Sequence, residues 1–289
     1  MNGKNKKIKI AVIGLGQMGG SLGLALKNRA LKNTYYIIGI ARKEETLKKA
    51  LKAGAVDKGS LFLEDAKGCD IAVICAPVDT IAGIYKRLLE ITDQKTIITD
   101  AGSVKFAIEK QISKSLLSAP RRAAASFVGS HPMAGREKNG IESADAAMFA
   151  GANVIMTGGV LDFCKAGKAV EKMWKDAGAK IIKMDSKKHD DLAALTSHLP
   201  HVLAFCLNKI YKKVKKKNKE IDFLTAGSFK SMTRVSVSSA DMWGPIFNLN
   251  AANIDKYLDS FIKELLVFKK SLRDKNKIKR EILKTQSGG

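Results

Sequence analysis

The sequence predicts an α/β domain on a mostly parallel, doubly wound sheet, followed by an all-helical domain. Three observations predict it. Short apolar, β-rich runs alternate with helical stretches through the first 185 residues, a glycine-rich turn joins the first run to the first helical stretch, and helical periodicity takes over from about residue 186. At 289 residues the chain is long enough for two cores, expected here as 1–185 and 186–289. One more α/β pair, FCKAGKAVEKMWKDAG and AKIIKM, blurs that boundary.

The first segment, KKIKIAVIGLGQMGGSLGLALKNRA, places Gly14, Gly16 and Gly19 in a G-x-G-x-x-G order after a strand pattern and at the start of a helix pattern. That context makes the motif the dinucleotide-binding turn of a Rossmann-type domain, because the glycines allow a tight turn and close approach of a pyrophosphate to the helix N-terminus. Gly14, Leu15, Gly16, Gln17, Met18 and Gly19 are therefore expected to hold a cofactor. Further strands are expected in YYIIGI (35–40), DIAVICAP (70–77), KTIITDAG (95–102), SFVGSHP (126–132) and ANVIMTGG (152–159). Ala76 and Pro77 in CAP, Ser103 in DAGSV and His131 in GSHPMAG all fall at carboxyl strand ends, where such sheets bind ligands. After the second strand the chain reads Gly39-Ile40-Ala41-Arg42-Lys43, with no acid to receive the ribose hydroxyls of NAD. Arg42 suits a 2′-phosphate instead, which favours NADP over NAD.

His131 stands between Ser130 and Pro132, with Gly129 and Gly135 close by, and that local chemistry reads as a functional loop. A nicotinamide enzyme needs a group that manages a proton while hydride leaves, and His131 is the candidate, with Ser103 at a neighbouring strand end. In the helical part, SHLPH puts His198 and His201 three apart, one helical turn, although Pro200 disturbs the local geometry. With only two other histidines and no HExxH motif, no metal is expected. Arg234 in a serine-rich stretch reads either as a carboxylate clamp or as a surface ion pair. A long amphipathic helix is expected over 246–271, and disorder from about residue 274.

Composition adds bounds. With 45% apolar and 27% charged residues, no span-length apolar run and no signal-peptide pattern, a cytoplasmic globular protein is expected, with no membrane partner. Cys69, Cys75, Cys164 and Cys206 show no metal-type spacing and read as reduced core thiols. The net charge of +23 raises a nucleic-acid-binding alternative, but KKVKKKNK (212–219) and the basic C-terminus carry few aromatics. They read as solvated faces, no nucleic acid is expected, and the same field would steer a small anion.

GLGQMGGSLG, DAGSVK, GSHPMAG, SHLPH and FKSMTR, in this order, resemble the prephenate and arogenate dehydrogenases of tyrosine biosynthesis, from about residue 7 to about 270. The resemblance implies the monofunctional form and oxidative decarboxylation of prephenate to 4-hydroxyphenylpyruvate with hydride transfer to NAD(P)+. It implies that His131 takes the proton of the ring hydroxyl, that Ser103 orients His131 and the nicotinamide, and that Arg234 grips a substrate carboxylate. His201 and Glu137 match pocket positions, and His198 begins the same motif. A homodimer through the helical domain is implied as well. Two positions depart from the family: Ser231 stands where some members have an aspartate, and Arg136 would repel the ammonium group of arogenate, which favours prephenate. Arogenate dehydrogenase and β-hydroxyacid dehydrogenase stay open as alternatives.

Overall fold

The computed structural model describes residues 7–28, 31, 33–117, 127–135, 138–158 and 165–286. Its sheet is formed by β1 (Ile8–Ile13), β2 (Tyr35–Ile40), β3 (Lys58–Ser60), β4 (Ile71–Ile74), β5 (Ile97–Asp100), β6 (Phe127–Pro132), β7 (Asn153–Thr157) and β8 (Lys180–Lys183), in the spatial order β3-β2-β1-β4-β5-β6-β7-β8. Neighbours pair in parallel except β6 and β7. The order reverses between β1 and β4, which opens a crevice at their carboxyl ends.

The central strands are near-continuous apolar runs because both faces of the sheet are covered. Ile10, Val12, Ile37 and Val73 point into one core. It is filled from α1 (Gln17–Leu26), α2 (Glu44–Lys52) and α5 (Lys165–Asp176) by Leu22, Leu47 and Trp174. Ala11, Ile13, Ile38 and Ile74 point into the other, where α3 (Ile81–Ile91) and α4 (Phe106–Leu117) contribute Tyr85 and Ile108. Trp243 and Ile246 from the helical half complete this second core, so the two halves pack together.

The sheet departs from the sequence reading at two points. β3 has no apolar pattern, and its three residues form an edge that periodicity does not detect. β7 is antiparallel, because the chain between β6 and β7 holds only a short 3-10 turn (Ile141–Ser143) among its described residues and lacks the crossover helix that parallel pairing uses. His131 lies within the strand expected over 126–132, not in the loop that its neighbours suggest, opposite Ile155, with Pro132 opposite Val154. Gly129 serves packing there: a Cβ would stand 2.3 Å from Thr157 Oγ1.

The helical half contains α6 (Ser186–Ala193), a π-turn (Ala194–His198), α7 (Leu199–Lys215), α8 (Gly227–Thr233), a 3-10 turn (Arg234–Val237), α9 (Ala240–Leu249), α10 (Ala251–Ser271) and α11 (Lys275–Gln286). The helix expected over 246–271 is divided at Asn250, whose φ of −112° and ψ of 21° leave the helical range. The tail expected to be disordered forms α11, whose first N–H groups are received by Asp274 at 3.0 and 3.1 Å. Cys69 is buried and Cys75 half-buried, whereas Cys206 is exposed on α7 rather than in a core; Cys164 lies outside the described residues. Among the described residues no helix is long and apolar enough to cross a membrane.

Candidate active site

The glycines of the first turn divide by task. Gly14, at φ +98°, and Gly19 are required by packing, since Cβ atoms there would stand 2.3 Å from Cys75 O and 2.0 Å from Gly14 O. Gly16 differs: it caps α1 without a side-chain hydrogen bond, and nothing lies within 4 Å of a Cβ built on it. A helix N-terminus with that clearance fits a dinucleotide pyrophosphate. Leu15 is buried and Met18 half-buried against the core, so only their backbones face the turn's open side. Gln17 Nε2 donates to Lys138 O at 2.9 Å, and Gln17 Oε1 lies 3.4 Å from the Cβ position of Gly135, which brings the segment after β6 onto the turn. Half-buried Ala76 and exposed Pro77 follow β4, and exposed Arg42 follows β2.

His131 is 9% exposed and is held from behind. Its Nδ1 is 2.8 Å from His189 Nε2, and His189 Nδ1 is 2.8 Å from Asp190 Oδ1. An ionised carboxylate only accepts, so His189 donates from Nδ1 to Asp190, receives His131 Nδ1–H at Nε2, and leaves the lone pair of His131 on Nε2. Asp190 is itself fixed by the start of α4, accepting from Lys105 N at 2.8 Å and Phe106 N at 2.9 Å. Burial, then the neighbouring His189 and the cation of Lys105, hold the His131 imidazole well below the ordinary histidine range of about 6.5.

Lys105 is almost fully buried and ties β5 to β6. Its Nζ donates to Asp100 Oδ2 and, at 2.8 Å, to Ser130 O, while Ser130 N donates to Asp100 Oδ1 at 3.0 Å. Both backbone polar groups of the residue before His131 are thereby held.

The helical half adds two more imidazoles. His198 and His201 both meet Trp243, His198 edge-on with centroids 5.9 Å apart and His201 stacked at 3.6 Å. The helical turn predicted between them does put them on one face. Asn250 Nδ2 donates to Asp190 O at 2.8 Å and lies 3.1 Å from His198 Nδ1, which links this group to the His131 network. Burial lowers His198 to about 4, and its Nε2 is buried without a protein partner. His201 donates Nδ1–H to Ser197 O at 2.9 Å, keeping Nε2 as an acceptor, and burial lowers it too.

Ser103 is half-buried one turn before α4. The orienting of His131 expected of it is done by His189, which occupies Nδ1. Arg234 opens the 3-10 turn packed beside α7 and is exposed; Arg136 and Glu137 lie outside the described residues. Among the described residues no group of three or more His, Cys, Asp or Glu could hold a metal ion. The sequence reading missed His189, Asp190, Lys105, Asn250 and Trp243 as site residues. Adjacent His189 and Asp190 at the start of a helix were the available signal.

Fold and site together define a class, a Rossmann-type oxidoreductase with a buried histidine relay at the carboxyl edge of its sheet and a helical half packed beside it. Comparison with known proteins makes the class particular. Residues 22–183 match the family described as prephenate dehydrogenase, nucleotide-binding domain, and residues 185–284 match prephenate dehydrogenase, dimerization domain. The cyclohexadienyl dehydrogenase of Zymomonas mobilis is 32% identical over 258 residues, 89% of this chain and 85% of that protein. The crystal structure of prephenate dehydrogenase from A. aeolicus in complex with hydroxyphenyl propionate and NAD+ is similar with a TM-score of 0.84 and 29% identity, covering 99% of this chain and 98% of that one. Synechocystis arogenate dehydrogenase is similar at a TM-score of 0.77 and 25% identity, covering 96% and 97%. The chain belongs to the prephenate dehydrogenase family.

Proposed function

We propose that the protein is a cytoplasmic, homodimeric prephenate dehydrogenase that oxidises and decarboxylates prephenate to 4-hydroxyphenylpyruvate, with NADP+ preferred over NAD+. The observation that carries the reading is the Asp190–His189–His131 relay, which fixes one tautomer and presents a neutral Nε2. Bound NAD(P)+ supplies the hydride acceptor for C4 of the ring. His131 Nε2 accepts the hydrogen bond of the 4-hydroxyl and takes its proton as the C4 hydride departs, and the resulting charge is shared through His189 toward Asp190. The ring ketone then loses the C1 carboxylate as CO2 and becomes aromatic, so the reaction runs one way.

Arg234, His201 and His198 receive the substrate's carboxylates and polar edge, with Glu137 and Arg136 at the rim; Ser103 contacts the nicotinamide or the hydroxyl. Gly14 to Gly19 hold the pyrophosphate, Ala76 and Pro77 the nicotinamide side of the crevice, and Arg42 the 2′-phosphate. The family description of residues 185–284 as a dimerization domain supports the dimer.

The test is the initial rate with prephenate and each nucleotide beside a His131→Asn variant. Turnover reduced about a hundredfold or more in the variant, with nucleotide binding retained, is expected. Arg42→Ala is expected to raise KM for NADP+ about tenfold and leave NAD+ nearly unchanged. Higher kcat/KM with arogenate than with prephenate would overturn the substrate assignment.

A further inference from the structure

We propose that the lysine-lined groove along α7 is an approach groove that gathers the doubly anionic substrate and delivers it to His201 and Arg234. The inference rests on the functional reading above and adds a route to the site. One face of α7 carries, in order, His201, Phe205, Lys209, Lys212 with Lys213, and Lys216, at the three- and four-residue spacing that aligns side chains on a helix. Phe205 and the four lysines line a groove of about 410 Å³ whose far wall includes Ser236.

The candidate substrate residues do not line the groove but adjoin two residues that do. The Phe205 ring lies 6.4 Å from that of His201, and Ser236, which accepts a 2.8 Å hydrogen bond from Asn208 of α7, follows Arg234 by two residues in the same 3-10 turn. With a rise of about 1.5 Å per residue, the lysines stand from about 12 to about 22 Å from His201 along the helix axis.

Charge on this face is of one sign. Lys209, Lys212, Lys213 and Lys216 are exposed and form no ion pair with the described residues, whereas Lys215, on another face of the same helix, pairs with Asp222 at 2.7 Å. Like charges three and four apart on a helix repel one another and destabilise it. A row of like charges that leads toward a histidine and an arginine matches a small ligand with two carboxylates. Clefts lined by one sign of charge raise the local concentration and on-rate of such a ligand by tenfold or more.

The test compares the full-length protein with a Lys209→Gln/Lys212→Gln/Lys213→Gln/Lys216→Gln variant. A control removes equal charge from α11 through Lys275→Gln/Lys277→Gln/Lys279→Gln/Lys284→Gln. Steady-state kinetics with prephenate, and calorimetric titration of prephenate, are run from about 0.02 M to about 0.3 M ionic strength. The unaltered protein and the α11 control are expected to lose kcat/KM about tenfold as salt rises. The groove variant is expected to start about tenfold lower in kcat/KM and in affinity, to vary little with salt, and to keep its kcat. A groove variant with the salt dependence and kcat/KM of the unaltered protein, or equal losses in both variants, would overturn the groove while leaving the functional reading intact. If the unaltered protein neither oxidises nor binds prephenate, the functional reading falls and the groove with it.

Discussion

Asp190 joins structure and chemistry in one side chain, since its carboxylate receives two N–H groups at the start of α4 as well as the His189 ring. In an Asp190→Asn variant, an amide NH2 would face donors that need an acceptor. Such a variant is expected to lose about 1–3 kcal/mol of stability, read by urea unfolding, and at least about tenfold in kcat, because His189 no longer fixes the His131 tautomer. Lys105 acts differently, through charge and through the Ser130 backbone. Replacing Lys105 with Met and Asp100 with Asn together removes a cation that opposes protonation of His131 without leaving an unpaired carboxylate. The acidic limb of the kcat profile is then expected to move to higher pH, so that activity falls more at pH 6 than at pH 8. An unmoved limb would limit Lys105 to holding the backbone. His131 was legible in the sequence because its neighbours are unusual; His189 was not, because its partner lies 58 residues away and only the packing of α6 against α4 brings them together.

Among the elements, the glycine turn separates binding from folding. Gly16→Ala adds a methyl group in open space and is expected to leave Tm nearly unchanged while raising KM for the nucleotide several-fold, whereas Gly19→Ala drives a Cβ into Gly14 O and is expected to lower Tm markedly. Thermal unfolding beside nucleotide titration distinguishes the two. The turn was legible because a strand, three glycines and a helix follow one another within 20 residues. The strand over 126–132 was legible as well, although Gly129 and Pro132, read locally as breakers, also suggested a loop around His131. Their actual reasons are the close approach of Thr157 and the end of the β6 ladder, and both depend on β7. The division at Asn250 was hidden: apolar spacing continues across it, while the break is set by the hydrogen bonds of Asn250 to Asp190 and its contact with His198.

For the whole molecule, the buried histidines make stability depend on pH. His131 and His198 are held neutral in the folded protein, so the unfolded chain binds more protons once the pH falls below about 6.5. Their contribution is complete above that pH and is lost as the pH falls through about 4, where His198 titrates. Tm is expected to fall across that window, and a His198→Phe variant to flatten the fall. The succession of an α/β half and a helical half was legible from periodicity alone, but their shared core was not, because Trp243 and Ile246 reach α3 and α4 from far along the chain. The π-turn at Ala194–His198 also has a consequence for this union. It acts as one residue inserted into an otherwise continuous helix. In a regular helix Asp190 and His198 would differ in angle by about 80°; the insertion reduces this to about 20°, so both can meet the same asparagine. The site is thus a matter of helical phase: winding the same residues as a regular helix would turn His198, His201 and all that follows about 100° out of step with the relay on the sheet, whereas deleting Thr196 would remove the insertion and keep them in phase.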